Sequence, residues 1–317
     1  HCKYISGPPY CAMNTEEDIL PCRVPECKVV AVSEFVAPST PNFVGASASA
    51  SSTAGHHVPE ATSRLVKDNM QQHVPGKPRF ALVSFSDRPQ VRALTWRSLR
   101  RFSSAHPGRY HLKLEATPLL ADSFLHPAWN KFALIQRTLL TGSYDAVVWV
   151  DDDVFITKPS DDPIYEAIID KLLPDDKKLV IASLDEHVSA RVPLNSGMLV
   201  MKNCSGSLRL LDELFQIGSP GSTYVINNTW LQPSILGFWD QDAFAVYVSR
   251  HGSSEFVLME HRMLQSFVRP GSATWEPGDF AAHLTGTRNP KQRWNFMKQF
   301  AMKLPNLTRD TALMRKN

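Results

Sequence analysis

The sequence predicts an α/β fold, with a mainly parallel sheet flanked by helices, and three observations carry that expectation. From about residue 77 onward, short apolar runs of strand character alternate with segments whose apolar residues recur at helical spacing. One of these runs, "YDAVVWV", is apolar almost without interruption, as in a strand covered on both faces. It ends in Asp151, Asp152 and Asp153, and ligands of open α/β sheets bind beyond the carboxyl ends of the strands.

Taken in order, Phe80 to Phe85 form the first strand-like run, which ends in Ser84, Ser86 and Asp87. "VRALTWRSLRRF" (91 to 102) places Val91, Leu94, Trp96, Leu99 and Phe102 near helical spacing. "RYHLKLEA" alternates like a strand, "PAWNKFALIQRTLL" (127 to 140) returns to helix, and "YDAVVWV" is the next strand. "DDPIYEAIIDKLL" reads as a helix with Asp161 or Asp162 at its cap and Pro163 in its first turn. "KLVIAS" and "SGMLVMKN" are strands, and "SGSLRLLDELFQIG" is an amphipathic helix ending at Gly218. "WDQDAFAVYVSR" looks helical and "EFVLME" strand-like, whereas "AAHLTGTRNPKQRW" reads as a polar loop.

The segment before this domain differs in kind. Residues 1–35 are rich in cysteine, and residues 36–76 form a Ser/Ala/Pro-rich linker or stem with too few large apolar residues to offset its ordering entropy. His56 and His57 read as solvated linker residues. Cys2, Cys11, Cys22 and Cys27 favour two disulfides over a zinc knuckle, because their spacing lacks paired C-x-x-C steps; three connectivities stay open. With N-x-S/T sequons at Asn203, Asn227 and Asn306, they point to the secretory pathway. The lone Cys204 reads as a buried free thiol.

Hydrophobic content of 43% and charged content of 21% belong to an ordinary globular protein. A formal charge of +3, without a long basic run, gives no support to a nucleic-acid reading, and no nucleic-acid partner is expected. No stretch reaches the roughly 18 apolar residues of a membrane span. The chain opens at His1 without a signal peptide, so the expectation is a trimmed or mature fragment, with any membrane anchor upstream.

Three adjacent aspartates repel one another unless a cation sits among them. Side chains two apart on a strand point the same way, so Asp151 and Asp153 are expected to converge while Asp152 faces elsewhere. Their hard carboxylate oxygens suit Mn2+ or Mg2+, whose remaining positions take water and phosphate. A solvated turn cluster is the plainer alternative for a D-x-D taken alone.

Downstream stand "PLNSGMLVMKN", "FWDQDAFAVYV" and "HLTGTR", and together with the aspartates they resemble, in order, a metal-dependent glycosyltransferase of the GT-A fold. The chain is most similar to glycosyltransferase family 34, which includes xyloglucan xylosyltransferases and galactomannan and yeast mannan transferases, over roughly residues 79–300. The resemblance implies a nucleotide-sugar donor, UDP-linked by preference, and a glycan or glycoprotein acceptor. It implies Asp151, Asp153 and His283 as metal ligands, with Asp151 also touching ribose and Asp152 in the variable middle position. Ser84 and Ser86 would lie near the nucleotide, and Lys131 of "WNKFALIQ" would approach the nucleotide or diphosphate. Asn195, Ser196 and Gly197 would floor the donor sugar, Asp240 and Gln241 would stand at the reacting sugar, and Gly286 and Arg288 would meet the diphosphate. Trp239 stands where the family has an acidic residue, and Thr287-Arg288 replaces its usual Cys-Lys.

Without the resemblance, Lys131 reads equally as a solvated helix residue, His283 as a core histidine and Asp240 as a helix cap. Trp129, Trp149 and Trp239 read as packing residues first, and Asp185 and Glu186 sit at the same expected sheet edge. Retention of anomeric configuration is implied, with the departing phosphate taking the acceptor's proton. A non-catalytic carbohydrate- or nucleotide-binding protein on the same scaffold is the competing function, and a metal-dependent phosphohydrolase a third.

Overall fold

Val, Ile, Leu and aromatic runs make the strands. In the computed structural model, which describes residues 78–120, 126–185, 194–218, 224–226, 229–231, 240–285 and 289–304, they assemble into two sheets and a small hairpin. The main sheet holds β1 (Phe80–Phe85), β2 (Tyr110–Glu115), β3 (Ala146–Val150), β5 (Val180–Leu184), β6 (Leu194–Lys202) and β9 (Phe256–Met259) in the order β2-β1-β3-β6-β5-β9. All of them run the same way except β6. That reversal has a physical reason: only residues 185–193 separate β5 from β6, fewer than the dozen or so that a parallel crossover requires.

The second sheet takes β4 (Val154–Ile156), β10 (Ser266–Arg269), β11 (Ser272–Ala273) and β12 (Ala281–Leu284) in the order β11-β10-β12-β4. β7 (Tyr224–Ile226) and β8 (Thr229–Leu231) pair as the hairpin.

Strand alternation sorts the apolar residues to opposite faces of the main sheet. Ala81, Val83, Val147, Trp149, Leu199 and Met201 pack against α2 (Asn130–Leu139), α4 (Ser205–Ile217) and α5 (Asp240–His251). Phe80, Leu82, Val148, Val150, Met198 and Val200 face α1 (Pro89–Ala105), α3 (Pro163–Ala167) and α6 (His261–Leu264). Asp162 caps α3 by accepting from the Tyr165 N–H, and the helix continues as a wider π turn over Ile168–Leu172. Coverage on both faces explains the unbroken apolar run of β3.

The segment expected to be a polar loop is instead β12 followed by α7 (Pro290–Lys303). Asn289 caps α7 by accepting from the N–H groups of Lys291 and Gln292, and Pro290 occupies the first turn. Met297, Phe300 and Ala301 then pack against Phe155. The sequence contained the start signal, an Asn-Pro step, but the low apolar content of the first turn concealed the helix.

The sequon at Asn203 is also corrected. Its side chain is buried, with Nδ2 donating to the Tyr144 carbonyl at 2.7 Å, so a glycan cannot be attached there in the folded chain. Cys204 is partly exposed rather than buried. The cysteine cluster, the stem and the other two sequons lie outside the described residues. Among the described residues, no helix is long and apolar enough to cross a membrane.

Candidate functional site

The carboxyl end of β3 meets the beginning of β6, where the Asp151 N–H donates to the Gly197 carbonyl at 2.8 Å. The chain then turns, with Val154 N–H donating to the Asp151 carbonyl at 3.1 Å, and departs as β4 into the second sheet. The convergence of Asp151 and Asp153 is therefore made by a turn and not by strand alternation. Asp152 faces elsewhere, as expected: Arg88 grips it through Nη2 at 2.5 Å and Nε at 3.2 Å.

His283 arrives from β12, whose register sets it opposite Val154 and whose Leu284 N–H donates to the Asp153 carbonyl at 2.9 Å. Its Nε2 faces Asp153 Oδ1 at 3.3 Å. One ligand atom each from Asp151, Asp153 and His283 lies within 4.8 Å of the others. The chemistry of this set fits a divalent cation, with two hard oxygens and one imidazole nitrogen. Gly197 makes room for it: a Cβ there would stand 2.3 Å from His283 Cε1 and 2.5 Å from Nδ1. The missing side chain of Gly197 thus accommodates the imidazole. His283 Nδ1 is buried without a partner among the described residues, beside Gln265, whose Oε1 is likewise unpartnered.

Lys131 enters from α2 and is fully buried. Its Nζ donates to Asp240 Oδ2 at 2.5 Å and to the Ser196 carbonyl at 2.7 Å, and it lies 3.2 Å from Asp151 Oδ1. Burial alone would lower its pKa, but Asp151 and Asp240 outweigh that and raise it, so the ammonium stays charged. Burial raises the Asp151 carboxyl; Lys131 opposes, Asp240 and Asp153 add to the rise, and the balance is upward. Asp153 is held well below the ordinary carboxylate range, because Arg293 and His283 overcome its burial. Trp149 is a packing residue that also donates from Nε1 to Asp151 Oδ1 at 2.6 Å, while Trp129 lies wholly in the core.

Ser196 Oγ donates to Asp240 Oδ2 at 2.7 Å. Gln241 is oriented by two contacts, donating from Nε2 to Asp185 Oδ2 at 2.8 Å and accepting from the Ser196 N–H at 3.4 Å. Asn195 Oδ1 accepts from the Gly197 N–H and from Gln265 Nε2, both at 2.9 Å. These residues of β6 and the first turn of α5 form one wall of a cavity of about 810 Å³, and the metal-type cluster forms another.

One expectation is displaced. Ser84 and Ser86 are buried and do not line the cavity; Phe85, Asp87 and Arg88 do. Lys131 lines the cavity, with protein acceptors engaging its ammonium. Gly286, Arg288, Trp239 and Glu186 lie outside the described residues. Conversely, Arg269 and Arg293 line the cavity and were not foreseen. Arg293 sits in the segment read as loop, and Arg88 follows Asp87 at the end of β1, the edge where ligand-contacting residues are expected.

No protein-family model and no curated protein matches this chain. Solved structures do. A glycosyltransferase involved in the glycosylation of the major capsid of PBCV-1 is similar with a TM-score of 0.53 at 17% identity, over 70% of this chain and 100% of its own. The glycosyltransferase GlyE of Streptococcus pneumoniae TIGR4 gives a TM-score of 0.43 at 13% identity, with 72% of this chain and 64% of GlyE covered. The chain has the α/β fold of the first of these, a glycosyltransferase.

Proposed function

We propose that the chain is a metal-dependent glycosyltransferase that moves a sugar from a nucleoside-diphosphate donor, UDP-linked by preference, to a glycan or glycoprotein acceptor. The observation carrying this reading is the meeting of Asp151, Asp153 and His283 within 4.8 Å in a cavity of about 810 Å³. The fold, shared with a glycosyltransferase, supports it. Asp151, Asp153 and His283 would hold Mn2+ or Mg2+, which when bound stabilises the negative charge that develops on a departing diphosphate.

The chain's own residues do the remainder. Lys131 fixes Asp240 Oδ2, and Oδ1 has no partner among the described residues, leaving a rigid acceptor for a sugar hydroxyl. Asp185 holds Gln241 in one orientation beside it. Such a wall, assembled before substrate arrives, stabilises an oxocarbenium-like state without reorganising. The ion-paired Asp240 is a poor nucleophile, which favours transfer without a covalent intermediate. Retention of configuration and proton uptake by the leaving phosphate complete the reading.

The test is a panel of UDP- and GDP-sugars assayed for Mn2+-dependent hydrolysis or transfer by the wild type and Asp153→Asn. Turnover of at least one donor that chelation and Asp153→Asn both abolish is expected. Near-normal turnover by a folded Asp153→Asn protein would refute the metal assignment. Binding of a donor without any turnover would favour the non-catalytic reading.

A further inference from the structure

Cation–carboxylate pairs line the cavity, and they are not equivalent. Lysine has three donors, and the contacts of Lys131 to Asp240, Ser196 and Asp151 account for them. Arg88 closes its fork on Asp152. Arg269 reaches Thr285 Oγ1 from Nε at 3.0 Å. Among the described residues, Arg293, near the start of α7, is paired through Nη2 alone with Asp153 Oδ2, while its Nε is buried without a partner.

Nε and Nη2 share one edge of a guanidinium, and that edge matches two oxygens of a carboxylate or phosphate. Only half of it is filled. A buried N–H left unpaired is costly, so the arrangement lacks an acceptor. The residue that does fill its half, Asp153, belongs to the cation cluster with Asp151 and His283.

We propose that Arg293 is a diphosphate-binding residue of the donor site, and that its pairing with Asp153 is the resting state from which it is displaced when Asp153 takes a divalent cation. This inference rests on the metal reading above. Arg293 holds Asp153 Oδ2 while His283 faces Oδ1, so a cation arriving at this carboxylate sets a second positive charge beside the guanidinium and repels it. The released guanidinium then presents a whole edge to the anion that the cation attracts. One carboxylate thereby couples cation binding to anion binding.

The experiment uses the full chain as wild type, Arg293→Gln, Arg293→Lys and Asp153→Asn, with thermal unfolding to establish that each is folded. Mn2+ alone is titrated by electron paramagnetic resonance, and UDP is titrated by calorimetry at saturating Mn2+. Arg293→Gln is expected to bind Mn2+ about tenfold more tightly and UDP about tenfold or more weakly, the size of one lost charge-assisted hydrogen bond. Arg293→Lys keeps the charge without the fork, so its Mn2+ affinity should stay within about threefold of wild type while UDP still weakens.

Unchanged or weaker Mn2+ binding by Arg293→Gln, or UDP binding that neither variant alters, would overturn the proposal and leave Arg293 as a prop for Asp153. If Arg293→Gln does not fold, Arg293→Lys decides through UDP alone. Should wild type bind no Mn2+ that Asp153→Asn abolishes, the metal reading fails and takes this proposal with it. Asp153-dependent binding without the Arg293 effect sinks the proposal only.

Discussion

Lys131 is the most demanding test of how the site is held together, because a buried cation shared by two aspartates stands at the join of α2, β3, β6 and α5. Replacing it with methionine keeps most of the side-chain volume, so the effect comes from charge rather than from a cavity. The substitution removes the 2.5 Å bond to Asp240, the 2.7 Å bond to the Ser196 carbonyl and the Asp151 contact. Asp240, 4% exposed, would keep only the Ser196 hydroxyl among the described residues. Removing one member of a buried pair costs about 3–5 kcal/mol, because the other charge is left uncompensated. For a domain of this size that corresponds to a fall in Tm of about 6–20 °C.

Urea and thermal unfolding of metal-free protein measure it. The double variant Lys131→Met/Asp240→Asn removes the stranded charge and is expected to recover about 1–3 kcal/mol. The reasoning is refuted if the single variant lies within about 0.5 kcal/mol of wild type, the range of an ordinary surface change. It is equally refuted if the double variant is no more stable than the single one.

Two further outcomes follow from local geometry. Gly197→Ala forces a methyl into the His283 ring and toward Gln265 Oε1 at 2.9 Å, both buried; a loss of about 1–3 kcal/mol and weaker Mn2+ binding are expected, read by calorimetry and Mn2+ titration. Burial alone would raise the pKa of Asp279, but bonds from Ser266 Oγ at 2.6 Å, the Glu276 N–H at 2.9 Å and Arg262 at 3.1 Å outweigh it and lower the value. A carboxyl depressed in the folded state adds stability that is fully present above its unfolded value, near 4, and lost as pH falls toward the folded one. Asp279→Asn should flatten the stability profile below about pH 4 relative to wild type, as measured by urea unfolding across that window.

The fold was legible where local pattern and tertiary burial agree. β3 is a short unbroken apolar run, β1 and β5 are apolar runs with a single serine each, and α1 and α4 carry helical apolar stripes, so each was readable from its own residues. The reversal of β6 was written in the short distance from β5 rather than in any residue preference. β12 was unreadable for a different reason: four residues make a strand only because β10 and β4 lie on either side, and that pairing is non-local. The aspartate cluster and His283 came from motif chemistry and do lie together. Their counter-charges did not, since nothing near Asp153 in sequence announces Arg293, 140 positions away. Ser84 and Ser86, assigned to the nucleotide only through the resemblance, are buried, as is Phe85 between them.

The cluster straddles two sheets, with the aspartates on the chain that leaves one for the other and the imidazole contributed by β12. During synthesis, therefore, a ribosome that has produced the acidic motif must still translate more than a hundred residues before the histidine emerges. A shortened product ending ahead of β12 would lack the imidazole, so the three side chains meet only once the second sheet has closed onto the first.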